Sequence, residues 1–224
     1  MLNKVKIVSI ILLMIFSFYY TQKVAIYVQN ETPLKKEILT YKEENNISSI
    51  NAKIDGDTII PGMNGLSVNV EASYNKMKTY NVFNETRIVY EEKTPTITIK
   101  DYPEKIITSG NKQKNSISII ISNNNKSVEY LKKLGIKYTY IHTNEFCIFK
   151  NENYCNNKKP IVKISTELNN TNFIKNIKDV NKGSIVYLDD NLDEMYIDVL
   201  VKHINFYGLN VLNLKDHLSE SNHI

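Results

Sequence analysis

The most strongly patterned stretch of the sequence runs from Ile54 to Tyr102 and reads IDGDTIIPGMNGLSVNVEASYNKMKTYNVFNETRIVYEEKTPTITIKDY. Asp55-Gly56-Asp57 is typical of a turn, because glycine accepts a positive φ and aspartate bonds to its own backbone. Residues 58–60 predict a short strand, and residues 61–65 predict a loop because they are rich in glycine, proline and asparagine. The first part of the stretch therefore predicts a short β unit bounded by turns.

The second part of the stretch predicts one helix and two strands. Val70, Tyr74 and Met77 recur at the spacing i, i+4 and i+7, which forms one apolar face of a short helix. Residues 87–91 and 96–100 are rich in β-branched and aromatic side chains, so each predicts a strand. The whole stretch is thus expected to form a small α+β module.

From residue 115 onward, apolar strands alternate with helix faces. The predicted strands are 117–121, 136–141, 161–164, 184–188 and 209–214, and the strongest helix face lies between Leu192 and Tyr207. This alternation favours βαβ units and a mostly parallel sheet. The predicted fold class is therefore α/β, preceded by the α+β module.

Several motifs in the first half of the chain resemble a known family. They are DGDTIIPGMNG at 55–65, SYNKMK at 73–78, VYEE at 89–92, PTITI at 95–99 and GNKQK at 110–114. Together they resemble the leader of membrane-anchored polysaccharide deacetylase-like proteins of low-GC Gram-positive bacteria. In those proteins the leader precedes a NodB-type deacetylase domain, so the resemblance implies such a domain here.

The second half resembles a shortened and degenerate NodB domain. The matching segments are KNSISIIIS at 114–122, LKKLGIKYTYI at 131–141, KGSIVYLDD at 182–190 and HINFYGLNVLNLKDHLSE at 203–220. They resemble the first strand, the first helix with its following strand, a late strand, and the final helix and strand. About 110 residues are too few for a complete eight-unit barrel, so the expected domain is a reduced parallel sheet with flanking helices.

The departures from the family concern its catalytic residues. Ser122, Asn123 and Asn124 stand where the family has two aspartates, and Asp189 replaces a late histidine. No H-x-x-x-H pair occurs anywhere in the sequence. Metal-assisted hydrolysis needs ligands for the ion and a base for the water. The sequence therefore predicts no catalytic residues, no metal and no cofactor.

An acidic cluster is the remaining candidate site. Asp189, Asp190 and Asp193 follow a predicted strand, and ligands of α/β proteins usually bind at strand ends. These carboxylates could form a metal or sugar site. They could equally cap the next helix and stabilise its first turn, and the sequence leaves both interpretations open.

The only two cysteines, Cys147 and Cys155, flank a polar loop. Two nearby cysteines outside the cytoplasm can form a disulfide, and with one pair the connectivity is fixed. The alternative is two free thiols. Metal binding is not favoured, because two cysteines alone do not complete a zinc site.

The N-terminus carries an apolar run from Val5 to Tyr20. We expect an uncleaved signal anchor, with a cleaved signal peptide or a buried core helix as alternatives. Lys4 and Lys6 on the short side predict a cytoplasmic N-terminus and a single-pass protein with its C-terminal domain outside. The formal net charge of +4 is too small to indicate a nucleic-acid partner.

These observations predict four segments and a function. The segments are a cytoplasmic tip and transmembrane anchor at 1–28, a stalk or solvated helix at 29–50, a leader module at 51–114 and a reduced NodB-like α/β domain at 115–224. The predicted function is a membrane-anchored, catalytically inactive relative of polysaccharide deacetylases that binds or organises cell-wall polysaccharide or a wall-processing protein. The alternatives are a divergent carbohydrate hydrolase using Asp189 and Asp190, and a structural envelope assembly protein.

Overall fold

The computed structural model describes residues 2–30, 32–150 and 159–222. The chain forms two compact units, one made of residues 1–47 and 66–91 and the other of residues 48–65 and 92–224. This division differs from the predicted boundaries after residues 50 and 114. The difference arises because residues 53–55 pair with residues 58–60, and residues 58–59 pair in turn with residues 106–107.

The N-terminal helix α1 (Leu2–Asn30) contains a long apolar window. Ile7–Val24 has a mean hydropathy of 1.6 over 18 residues, and none of this window is buried. The length and composition suit a membrane span, and a signal sequence has the same character.

The first unit also contains two helices that share a small core. They are α2 (Pro33–Asn45) and α3 (Val70–Met77), and each begins at a side-chain cap. The core side chains buried at under 4% exposure are Leu34, Ile38, Val68 and Met77. Residues 33–45 are therefore a packed helix, in contrast to the expected stalk or solvated helix, while the helix predicted from Val70 to Met77 is confirmed.

A two-stranded ribbon pairs β3 (Gly65–Val68) with β4 (Tyr90–Lys93). The strand predicted at residues 96–100 is wrong, because a 3-10 turn occupies Ile99–Asp101. The Asp101 carboxylate accepts hydrogen bonds from the Thr98 backbone N–H and hydroxyl, both at 2.8 Å. This capping arrangement offers the backbone a local alternative to a strand.

The second unit contains a five-stranded sheet in the order β1-β2-β5-β9-β8. Its strands are β1 (Lys53–Asp55), β2 (Thr58–Ile60), β5 (Ile106–Ile107), β8 (Cys147–Phe149) and β9 (Ile161–Lys163). The β1–β2 pair is antiparallel and the other pairs are parallel. Gly56, at the turn of the β1–β2 pair, has a φ of +53°, which glycine adopts without strain.

A second sheet in the same unit has the order β10-β11-β6-β12, with β7 beside the end of β6. Its strands are β6 (Ser116–Ile121), β7 (Thr139–Tyr140), β10 (Thr166–Leu168), β11 (Ile185–Leu188) and β12 (Asn210–Leu212). All described pairs are parallel, which confirms the predicted parallel sheet. β7 and β12 are shorter than predicted.

Helices cover one face of this second sheet, whose central strand is β6. They are α4 (Val128–Lys133), α5 (Phe173–Asn176) and α6 (Glu194–Phe206), while α7 (Leu214–Leu218) follows β12. Ile117, Ile119 and Ile121 pack with the helices, whereas Ile120 packs with α7 in a separate core. Alternation along β6 therefore separates the two cores, and parallel pairing brings the carboxyl ends of β6, β10 and β11 to one edge.

Candidate functional site

The carboxyl edge of the second sheet is centred on Asp190. The Ser122 hydroxyl, just after β6, donates a hydrogen bond of 2.6 Å to Asp190 Oδ1, just after β11. The Tyr187 hydroxyl donates to the same oxygen at 3.3 Å. Because β6 and β11 are parallel neighbours, their ends meet, and this places the three groups together.

Tyr187 is a neutral donor in this cluster. Burial raises the pKa of Tyr187 to about 12, and the negative charge of Asp190 acts in the same direction. The Lys150 Nζ lies 3.5 Å from the centroid of the Tyr187 ring and 3.1 Å from Glu167 Oε1. The edge therefore presents two carboxylates, an ammonium group and hydroxyl groups within a small region.

The three predicted aspartates have different hydrogen-bond partners. Asp189 Oδ1 accepts the backbone N–H of Asn191 at 3.1 Å, as part of a local turn. Asp193 occupies the N-cap position of α6, but its side chain makes no capping hydrogen bond. Within residues 2–30, 32–150 and 159–222, no group of three His, Cys, Asp or Glu side chains could hold a metal ion.

Asparagine side chains hold the surrounding loops. Asn125 Nδ2 donates to the backbone carbonyls of Leu188 and Asp189 at 3.0 and 3.2 Å. Asn123 and Asn124, in contrast, are exposed. Neutral amides donate and accept hydrogen bonds but bind metal ions weakly.

Sequence reasoning placed Ser122 and Asp190 at strand ends but missed Tyr187, Lys150 and Glu167. These three lie in or directly after strands, and their meeting depends on strand order. The alternation of polar and apolar residues marks Tyr187 only as buried. The register that pairs Tyr187 with Ile120 is what aims it at this edge.

His142 follows β7, the strand that pairs with the end of β6. His142 is exposed and its backbone bridges to Cys147 at the start of β8. Cys155 lies outside the described residues. The disulfide between the two cysteines therefore remains a prediction.

A cavity of about 520 Å³ opens elsewhere in the second unit. Ile99, Phe146 and Leu218 contribute apolar lining, and Glu220 contributes a carboxylate. Glu220 Oε1 accepts the backbone N–H groups of Gly62 and Ile99 at 3.0 and 3.3 Å. Burial raises the pKa of Glu220, against the effect of these donors, so the two N–H groups partly offset the cost of a buried charge.

Solved structures identify the fold. A CE4 family pseudoenzyme from Bacillus anthracis superposes with a TM-score of 0.57 at 17% identity, over 84% of this chain and 95% of that chain. A mutant of it with restored enzymatic activity gives 0.58 at 18% identity, over 84% and 98%. The chain has the CE4 fold. This NodB-like fold confirms, at the level of architecture, the resemblance drawn from the sequence motifs, and nearly all of each solved chain has a counterpart here.

One curated relative is similar in sequence. The uncharacterized protein YlxY of Bacillus subtilis is 31% identical over 170 residues, which cover 74% of this chain and 52% of the relative. The chain therefore spans about half the length of the curated relative it matches. No family model matches the sequence.

Proposed function

We propose that this protein is a catalytically inactive relative of polysaccharide deacetylases that binds cell-wall polysaccharide. The observation that carries the proposal is the carboxyl edge of its CE4 fold. There Ser122 is hydrogen-bonded to Asp190, and the exposed Asn123 and Asn124 stand beside them. The edge is polar and open to a ligand, but it offers neutral groups where the related enzymes use paired aspartates.

Ligand count supports the absence of deacetylase activity. A catalytic divalent ion typically takes about three protein ligands and one open position for water. The described part of the chain provides no group of three suitable side chains. The solved structures with this fold are also described as pseudoenzymes.

The chemistry of the edge supports a glycan ligand. Sugar hydroxyls need donors and acceptors in alternation, and exposed amides provide both from one side chain. Asp190 and Glu167 add acceptors, and Lys150 adds a donor. The position also agrees with the general tendency of α/β proteins to bind ligands beyond the carboxyl ends of their strands.

Co-sedimentation of the full-length protein, in detergent micelles, with purified peptidoglycan sacculi tests this proposal. Asn123→Trp would fill the open edge and should reduce the bound fraction at least about fivefold. Lys132→Trp, an equally exposed position on α4, should bind as the wild type does. Equal binding of the two variants would show that the carboxyl edge does not bind the glycan. Absence of wild-type binding would reject glycan recognition altogether.

We further propose that α1 anchors the protein with its C-terminal units outside the cell. The apolar window Ile7–Val24 supports the anchor, and Lys4 and Lys6 on the short side support the orientation. Protease added to intact cells without their wall should digest the chain beyond Gln29. A fully protected C-terminus would contradict this orientation.

A further inference from the structure

Helix α6 carries apolar side chains on two opposite sides. Its inner face is buried in the core and consists of Ile197, Leu200 and Ile204. Its outer side carries Met195, Val199, Lys202 and Phe206, and we call these four residues the outer stripe. Met195 is 63% exposed and Phe206 is 83% exposed. Large apolar side chains in one exposed line are unusual on a solvated helix and typical of a contact surface.

The spacing of the outer stripe is that of a helix–helix contact. Successive members are four, three and four residues apart, which is the alternation of a heptad seam. At 100° per residue the four positions fall within about 60° of the helix circumference. The stripe therefore presents a narrow apolar ridge with one lysine, the shape that packs against another helix.

The charged residues beside the outer stripe would face opposite charges if two copies of α6 packed in antiparallel orientation. Glu194 and Asp198 lie on one flank of α6, toward its start, and Lys202 lies on the same flank, toward its end. In an antiparallel pair related by a twofold axis, this flank of one helix faces the same flank of the other helix. Lys202 then lies close to Asp198 of the second copy. A parallel pair would instead set Lys202 against Lys202.

We propose that α6 pairs in antiparallel fashion with α6 of a second copy of this chain. Met195 then lies opposite Phe206 of the second copy, and Val199 lies opposite Lys202. A membrane surface is a less suitable partner for the outer stripe, because the negative headgroups of bacterial lipids would repel Glu194 and Asp198. The proposal goes beyond glycan binding and does not depend on it.

Two positions of the outer stripe allow a test of the pairing direction. Full-length chains carrying Met195→Cys are mixed in micelles with chains carrying Phe206→Cys and then oxidised. The mixture should form a disulfide-linked dimer, because the two cysteines face each other. Chains with Met195→Cys alone should not, since the two positions are then separated by about 16 Å along the helices. Chains carrying Lys53→Cys, at an exposed position on β1, serve as the control for cross-linking by random collision.

A mixture that gives no more cross-linking than Lys53→Cys overturns the proposal. So does efficient cross-linking of Met195→Cys to itself, which requires a parallel or unrelated contact.

The charge pair provides a second, independent test. Lys202→Glu sets two carboxylates against each other across the twofold axis, so the cross-linking yield of the mixed pair should fall at least about threefold. Lys132→Glu makes the same charge change on the exposed side of α4 and should leave the yield unchanged. Equal yields from these two variants would overturn the antiparallel arrangement.

Discussion

Ser122 Oγ donates a 2.6 Å hydrogen bond to Asp190 Oδ1 and thereby ties the ends of two neighbouring parallel strands. The hydroxyl of Ser122, which precedes Asn123 and Asn124, is thus already engaged within the fold. Asp190 also accepts from the Tyr187 hydroxyl at 3.3 Å. The Asp190 carboxylate is therefore held by two donors, one just after β6 and one on β11.

The first prediction is that the protein releases no acetate from N-acetylated glycans when Zn²⁺ or Co²⁺ is added. Changing both Asn123→Asp and Asn124→Asp should not create activity, because histidine ligands would still be missing. The assay is acetate release by the full-length protein, with an active polysaccharide deacetylase as the positive control. Metal-dependent turnover by the wild type that is lost in Asp189→Ala or Asp190→Ala would favour the divergent hydrolase.

The second prediction concerns Cys147 and Cys155. A disulfide between them would close a nine-residue loop and stabilise the fold by roughly 2–3 kcal/mol. Peptide mapping without reductant should recover the two cysteines in one linked fragment, and reduction should separate it. Quantitative alkylation of both thiols in protein that has never been reduced would contradict the disulfide.

Strong periodicity explains which elements could be predicted from the sequence. The apolar run of β6 and the inner face of α6 are long enough to outweigh local alternatives, and both were predicted within a few residues. The region 96–100 was not, because Thr98 and Asp101 form a local cap whose energy favours a turn. The burial of Leu34 and Ile38 depends on partners about 30 to 40 residues later, which no local pattern reveals.

The candidate site was predictable only in part. The predicted strand ends indicated Ser122 and Asp190, because ligands of α/β proteins usually bind at the carboxyl ends of strands. The neighbours Tyr187 and Lys150 required knowledge of strand order and register, and these are set by the whole sheet. Asp189 and Asp193 have separate partners, because the Asp189 carboxylate accepts the Asn191 backbone N–H and the Asp193 backbone N–H donates to Asn170 Oδ1.

The third prediction tests the close packing of Gly110 on His217. A Cβ atom added at Gly110 would lie 2.1 Å from the imidazole ring, and overpacking of this kind typically costs about 1–3 kcal/mol. Gly110→Ala should therefore destabilise the second unit and increase hydrogen exchange in α7. The double variant Gly110→Ala/His217→Ala should recover much of this loss, because the smaller side chain leaves room. Additive effects of the two substitutions would show that they do not act through this contact.

The last prediction concerns pH and His217. This side chain has no exposed surface, and among the described residues neither ring nitrogen meets a partner with full hydrogen-bond geometry. Burial lowers the pKa of His217 to about 4, and the nearby Lys114 ammonium acts in the same direction, against a weaker opposing effect of the Ser116 backbone. The imidazole is therefore neutral in the folded protein at neutral pH.

A histidine whose pKa is lower in the folded state binds fewer protons there than in the unfolded chain, so acidification favours unfolding. The loss should begin as the pH falls below about 6.5, the unfolded value, and be complete below about 4. The loss of unfolding free energy is on the order of 3 kcal/mol.

Glu220, whose pKa is raised by burial, acts in the opposite direction, so the effect of His217 must be measured against a variant. The apparent Tm of the wild type should fall more steeply from pH 7 to pH 4 than that of His217→Leu. His142→Gln, which removes an exposed histidine, should follow the wild type. Parallel curves for wild type and His217→Leu would show that protonation of the buried imidazole does not limit stability in acid.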